Sequence, residues 1–386
     1  MAAIEHVHAR SNRLVLVAAA LVTAMVALPA DAVRSYTAVS IGSLGGTVTH
    51  ALAINANGEV TGYSSTGSGT IYHAFHYHAG TMTDLGTFGG TFSSGQAINV
   101  HGQIAGYANL PGDAVSHAFL YSGGTMTDLG TLGGSSSVAS GINSAGVVVG
   151  YASVPSGADH AFIEWGGVMA DLGTLPGGFR SYATAINSSG QITGYADTLG
   201  SAYSHAFLYA SNTMTDLGAF GGLFSFGNAI NDAGRVTGRY FFLGTDSSAF
   251  VYDAGVVITL PKGDFVGANA TAINNRGEIV GSVAGFPLTA KSDALLFLGG
   301  AVYGLTPLVI SGLNGVQLTS ATGINDSGQI IANGCSGSTS PVCYAFLLTP
   351  VPVVVPAFTN PALIVVASML LLVGMIQLRR TRTTRG

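Results

Sequence analysis

Four histidines, His73, His117, His160 and His205, are each followed eleven residues later by an aspartate: Asp84, Asp128, Asp171 and Asp216. Imidazoles recurring at one position of a repeated unit could in principle form a ring of metal ligands. The spacing favours a plainer chemistry. If Gly123 and Gly124 turn a hairpin, Phe119 faces Asp128 and His117 faces Gly130, so His117 and Asp128 lie diagonally on one sheet face, within reach of a hydrogen bond. Where the histidine position holds Ser248, Asp293 or Tyr344, the aspartate position aligns with Val256, Gly304 and Ser40, so the two residues occur together or not at all. A hydrogen bond inside each copy accounts for this; the alternative is that those four copies simply stand nearer a consensus.

Other candidate chemistry is sparse. The two cysteines, Cys335 and Cys343, predict a disulfide closing a short loop, with two free thiols as the alternative; two thiols without nearby histidines do not make a metal site. The paired glycines from Gly45-Gly46 to Gly221-Gly222 recur between strands, and no helix follows them to present a phosphate site. Asn231-Asp232 and Asn325-Asp326 lack the spaced carboxylates and terminal glutamate of a calcium loop. No nucleophile, base and orienting acid stand out, so the expectation is a protein that is not an enzyme and has no catalytic, cofactor-binding or metal-binding residues.

The elements that would position these residues come from a repeat. Ile-Asn-x-x-Gly occurs with asparagines at Asn55, Asn99, Asn143, Asn187, Asn231, Asn274 and Asn325, at intervals of 44, 44, 44, 44, 43 and 51. In Ala139 to Ala152, two strand-like runs flank Asn143-Ser144-Ala145-Gly146: Asn bonds to backbone two residues on, and Gly at the fourth position takes positive φ without steric cost. Turn formation accounts for all seven asparagines. A second hairpin, His117 to Gly130, turns at Gly123-Gly124. Each copy thus supplies about four short antiparallel strands, the size of a propeller blade rather than of a one-strand solenoid turn.

The phase of the copies points the same way. The repeats start at Tyr36 with a segment matching the last strand of a copy, and end at Tyr344 with one matching the third strand. A ring can pair these two and remove both open edges. The predicted fold is an all-β, seven-bladed β-propeller over residues 36–348.

The ends read differently. Arg10 and Arg13, the apolar run Leu14 to Leu28 and Ala30-Asp31-Ala32 predict a signal peptide, residues 1–32, cut after Ala32; the alternative is an uncleaved anchor helix. Residues 349–361 read as a Pro/Val-rich linker, 362–378 as one transmembrane helix and 379–386 as a basic cytoplasmic tail that leaves the repeats outside the cytoplasm. Six of the thirteen basic residues lie in these ends, so the repeats are more acidic than the net charge of -5 suggests, which argues against a nucleic-acid partner.

"HAFLYSGGTMTDLGTLGG", with near copies at His73 and His205, resembles the extracellular HAF repeat, a family named for its His-Ala-Phe triplet. Ser248-Ala249-Phe250, Asp293-Ala294-Leu295 and Tyr344-Ala345-Phe346 depart from the triplet. The resemblance implies an exported bacterial protein without established enzymatic activity. The tail is similar to the sorting tails of the PEP-CTERM and IPTL-CTERM kind, with Val355, Pro356, Ala357 and Phe358 where the latter has Ile-Pro-Thr-Leu. It implies a Gram-negative host, a sorting protease as partner, and an envelope or surface destination, either anchored or released after tail cleavage.

The function expected is a non-enzymatic binding platform for extracellular protein or polysaccharide, with the site in the loops between Gly-Tyr and His-Ala-Phe, which vary most among copies. A glycan-acting hydrolase or lyase on the same scaffold and a purely structural spacer are the alternatives.

Overall fold

The structure is a computed structural model that describes residues 33–67, 69–200, 203–241, 247–283, 293–336 and 342–352. The expected signal segment 1–32, the motif Val355, Pro356, Ala357 and Phe358, the membrane run 362–378 and the basic tail lie outside the described residues. Among the described residues no helix is long and apolar enough to cross a membrane. Apart from a 3-10 turn at Thr306–Leu308, every regular element among the described residues is a strand.

Ser35–Val351 forms one compact body. One unit shows how its sequence folds. Ser137–Ile142, Val148–Ser153, Asp159–Trp165 and Val168–Asp171 pair antiparallel in that order. Between the first two strands, Asn143 Oδ1 accepts from the backbone N–H groups of Ala145 and Val147, and Gly146 sits at φ +81°. Between the last two, Gly166 and Gly167 take φ +63° and +84°, the two positive values that let a two-residue turn follow the twist of its strands. Four-stranded sheets of the same order start at Ser93, Ser181, Phe224 and Ala268. A further run, Gly45–Ile54 through Thr81–Asp84, is joined by a single parallel bridge, Val48 to Cys343, to the strands at the chain's end. These repeated four-stranded sheets are of the propeller-blade type.

The core of five of the sheets is built on one contact. Phe75, Phe119, Phe162, Phe207 and Phe250 are fully buried, and each lies directly across from a glycine: Gly62, Gly106, Gly150, Gly194 and Gly238. A Cβ on Gly106 would stand 2.7 Å from the Phe119 ring and 2.0 Å from the Ser94 carbonyl, so only glycine admits the ring. A serine then ties one sheet to the next: Ser137 Oγ accepts from Ala118 N–H and donates to the Gly130 carbonyl, and Ser93, Ser181 and Ser225 do the same.

At the chain's end, Gln317–Ile324, Ile330–Ser336 and Val342–Pro350 pair in order, and the strand Tyr36–Ser40 from the other end pairs antiparallel with Val342–Pro350, Tyr36 opposite Pro350 and Ser40 opposite Phe346. The last strand therefore runs two residues beyond the 348 boundary set from sequence, because Thr349 and Pro350 have partners in Thr37 and Tyr36.

The seven asparagines link these sheets. Asn55 Nδ2 donates to the backbone carbonyl of Asn99, Asn99 to Asn143, Asn143 to Asn187, Asn187 to Asn231, Asn231 to Asn274 and Asn274 to Asn325, at 2.9 to 3.3 Å. Asn325 Nδ2 in turn donates to the Asn55 carbonyl at 3.1 Å, across 270 residues of chain. The bonds come back to their starting point.

Cys335 and Cys343 face each other on adjacent strands and are disulfide-bonded across a sequence separation of 8. Closing so short a loop restricts the unfolded chain modestly. Reduction, or replacement of both cysteines by serine, is expected to lower stability by about 2–3 kcal/mol, read as the urea midpoint with and without reductant.

Candidate functional site

In each sheet the loop between the second and third strands lies at one end and the asparagine turn at the other, since the four strands run up and down. The sequence-derived candidates divide between these ends. At the loop end, His73 Nδ1 lies 2.8 Å from Asp84, His117 Nδ1 2.8 Å from Asp128, His160 Nδ1 2.8 Å from Asp171 and His205 Nδ1 2.9 Å from Asp216. Each aspartate also accepts a backbone N–H two residues on, from Gly86, Gly130, Gly173 or Gly218. The four imidazoles are each paired within their own sheet.

Where histidine is absent, the alignment from sequence needs one correction. Phe250 lies opposite Thr259, so Thr259, not Val256, holds the aspartate position; the turn there is Ala254-Gly255, and Val256 starts the last strand. Tyr240 Oη and Thr259 Oγ1 share a hydrogen bond of 2.9 Å, with Tyr240 directly across from Ser248. A larger residue on the neighbouring strand thus occupies the room left by the smaller Ser248.

The double duty of Asp128 gives an expected result. Asp128→Ala should cost more than His117→Ala, and a double-mutant cycle should return a coupling of roughly 0.5–1 kcal/mol, modest because the aspartate side chain is 41% exposed. Additive thermal melts would show that the contact contributes nothing.

The same end carries a group of aromatic residues of which sequence reasoning singles out only Tyr203 and Phe241, as suited to stacking on sugars or to ordinary packing, and passes over the rest. The tyrosine of each Gly-Tyr pair, Tyr63, Tyr107, Tyr151 and Tyr195, occupies one position of successive sheets, and Arg239 takes it in the next. Aromatic rings from neighbouring strands stand between them. Phe92 lies 5.7 Å from both Tyr63 and Tyr107; Tyr182 lies 4.9 Å from both Tyr151 and Tyr195; Phe226 lies 4.8 Å from Tyr195 and 5.4 Å from the Arg239 guanidinium. From Phe226 the rings continue outward through Phe241 and Phe224 to Tyr203, which is exposed on a variable loop. Seven rings, from Tyr151 to Tyr203, are in unbroken contact.

Polar groups lie among them. Tyr182 Oη donates to Asp159 Oδ2 at 3.3 Å, and Ser153 Oγ donates to Asp159 Oδ1 at 3.0 Å. Burial, and after it the Asp159 charge, pushes the Tyr182 hydroxyl up to about 12. Burial likewise raises Tyr63, Tyr107, Tyr151 and Tyr195, so all these hydroxyls stay protonated and able to donate at neutral pH. Leu199 and Phe179 are exposed beside this group, with Arg180 over the Phe179 ring at 5.9 Å.

The asparagine end holds a cavity of about 280 Å³, lined by five of the repeat's isoleucines and five of its seven asparagines together with Asp232, Asn275 and Asp326. Ser188 N–H donates to Asp232 Oδ1, Asp232 N–H to Asn275 Oδ1 and Asn275 N–H to Asp326 Oδ1, a second series of unit-to-unit bonds. Burial alone would raise the Asp232 carboxyl, but hydrogen bonds from Ser188 and Asn275 hold it below its ordinary value. Its carboxylate oxygens are thus occupied by the scaffold.

The chain is an all-β repeat protein of propeller-type sheets, with an aromatic-rich loop end. No family model matches it, and no curated protein does. Among solved structures it is similar to TolB from Acinetobacter baumannii, at 12% identity and TM-score 0.44 over 76% of this chain, and spans 63% of the length of that one. It is also similar to Pyrococcus horikoshii acylaminoacyl peptidase, at 10% identity and TM-score 0.45 over 78% of this chain and 52% of that one. A third is Aleuria aurantia lectin in complex with alpha-methyl-L-fucoside, at 12% identity and TM-score 0.37 over 84% of this chain and 97% of that one.

Proposed function

We propose that the chain is a closed seven-bladed β-propeller, exported to the cell envelope or surface, whose loop end is a non-enzymatic platform for extracellular polysaccharide or protein. The returning series of asparagine bonds and the pairing of Tyr36–Ser40 with Val342–Pro350 support the closed ring. The observation that carries the binding reading is the set of seven contacting rings from Tyr151 to Tyr203 at the end where the loops vary. Aromatic faces edged by tyrosine hydroxyls and Arg239 suit sugar rings, whose C–H faces stack and whose hydroxyls need hydrogen-bond partners. Export, a sorting protease acting at the tail and anchoring by residues 362–378 follow from the sequence resemblances of the two ends. N-terminal sequencing of the protein recovered from the envelope is expected to begin at Val33.

Glycan-array binding by residues 33–352 tests the site. Tyr203→Ala and Tyr195→Ala are each expected to weaken binding at least about tenfold, since each loses a stacking face and Tyr195 also a donor. Retention of full affinity by both variants would remove the site from this end of the protein. A glycan-cleaving activity is the second reading, favoured by Asp159 lying among these rings in hydrogen bonds to Tyr182 and Ser153. Release of new reducing ends from the bound glycan, abolished in Asp159→Asn, would establish it over the binding-only reading.

A further inference from the structure

The first sheet breaks the repeat pattern at two neighbouring positions. His76 stands where the other six units have Leu120, Ile163, Leu208, Val251, Leu296 and Leu347, as the strand register shows. His78 follows two residues later on the same strand. Side chains two apart on a strand share a face, and Glu59, one residue before the Val60–Tyr77 pair, comes opposite His78. Two imidazoles and a carboxylate are therefore gathered on one sheet face.

Their geometry is unusual for a purely structural cluster. His76 Nε2 is buried and has no hydrogen-bond partner, an arrangement that the leucines of other units avoid. Glu59 Oε2 lies 3.7 Å from that nitrogen, and Glu59 Oε1 lies 2.9 Å from His78 Nδ1. The two imidazole rings are 6.2 Å apart. Donor atoms sharing one zinc ion at roughly 2.0–2.2 Å each stand about 3–4 Å from one another, a range that holds the 3.7 Å separation and begins next to the 2.9 Å one. Asn55 Nδ2 donates to Glu59 Oε2 at 2.6 Å, the outer contact that orients a ligating carboxylate.

We propose that Glu59, His76 and His78 form a binding site for one divalent transition-metal ion of the zinc type. Imidazole nitrogens select this class over magnesium and calcium, which take oxygen ligands. Among the described residues no three donors stand ready-made around a metal-sized point, so the site closes on binding. The moving part is His78, whose side chain is 61% exposed and free to turn from its hydrogen bond with Glu59, while His76 is held in the sheet. Three protein donors leave a fourth position open to water or to a donor group of a ligand.

The test uses the full chain, stripped with chelator and titrated with zinc chloride by calorimetry and thermal melting. One equivalent is expected to bind and to raise the melting temperature. His76→Leu restores the aliphatic residue of the other units, and Glu59→Gln the glutamine found at Gln103, Gln191 and Gln329, so both variants should fold. Each is expected to weaken zinc binding at least tenfold while melting cooperatively without metal; His117→Ala, in a surface His–Asp pair, should bind as the wild type does. Absence of stoichiometric binding by the wild type, or wild-type affinity in both His76→Leu and Glu59→Gln, overturns the proposal. So does equal loss in His117→Ala, which would put the metal on the surface pairs.

Discussion

A chain that begins at Gly42, and so lacks the strand Tyr36–Ser40, is expected to lose cooperative unfolding and to self-associate. The segment removed supplies the buried side chains of Tyr36, Ala38 and Ile41. It also covers the Phe346–Pro350 part of Val342–Pro350, with register from Tyr36–Pro350 to Ser40–Phe346 and further backbone bonds from Ile41 to Ala345 and from Val351 to Ser35. Burying the tyrosine and isoleucine contributes roughly 1.5–3 kcal/mol each, and every net hydrogen bond roughly 0.5–1.5 kcal/mol. The sum approaches the roughly 5–15 kcal/mol that separates folded from unfolded states of a whole domain. Val342–Pro350 would then present a bare edge, a template for pairing with a second copy. Urea unfolding followed by circular dichroism, with size-exclusion chromatography of the same sample, reads both effects. A peptide of residues 33–42 added in trans should restore the monomer. An unchanged midpoint in a monomeric truncated chain would show that the terminal strand closes nothing.

Much of this architecture was legible because it is local. Asn143 with Gly146, and Gly123 with Gly124, announce turns through the φ values that they alone adopt cheaply, and strands follow as the runs between turns. The offset between Tyr36 and Tyr344 in the repeat phase was likewise readable, since it needs only an alignment of copies. Alignment fails where the copy is divergent: Val256 begins the last strand, and Thr259 occupies the position opposite Phe250. What no single copy could show is contact between copies. The hydrogen bond from each asparagine amide to the next sheet, the serines that tie one sheet to the next and the contact of Tyr182 with Tyr151 all join residues of different copies, 44 positions apart in Asn187–Asn231, 19 in Ala118–Ser137 and 31 in Tyr151–Tyr182. The recurring histidines drew attention by their regularity, yet each is paired within its own sheet, whereas His76 and His78 occur once and mark the place where an aliphatic position has become polar.

Asn187→Ala is expected to cost about 2–4 kcal/mol, far more than truncating an exposed turn asparagine, because the side chain bonds four ways while buried. Its Oδ1 accepts from the Gln191 backbone N–H and the Ser189 hydroxyl, and its Nδ2 donates to Gln191 Oε1 and to the Asn231 carbonyl in the next sheet. Alanine removes the turn contacts and the unit-to-unit bond together. Asn187→Asp separates them: both Oδ1 bonds survive, but the second oxygen now faces two acceptors. Burial beside acceptors disfavours the carboxylate, so the folded-state pKa must lie above the unfolded value of about 3.9. A group with a raised folded pKa is penalised only where the unfolded chain would ionise. The aspartate variant should therefore be nearest to wild type at pH 3 to 4, where the acid O–H can replace the amide as donor, and should lose stability as pH rises towards 7. Urea midpoints of wild type and both variants across that range decide the matter. A pH-independent difference between Asn187→Asp and wild type would mean that the amide donates nothing to the neighbouring sheet, and that the asparagines serve their own turns alone.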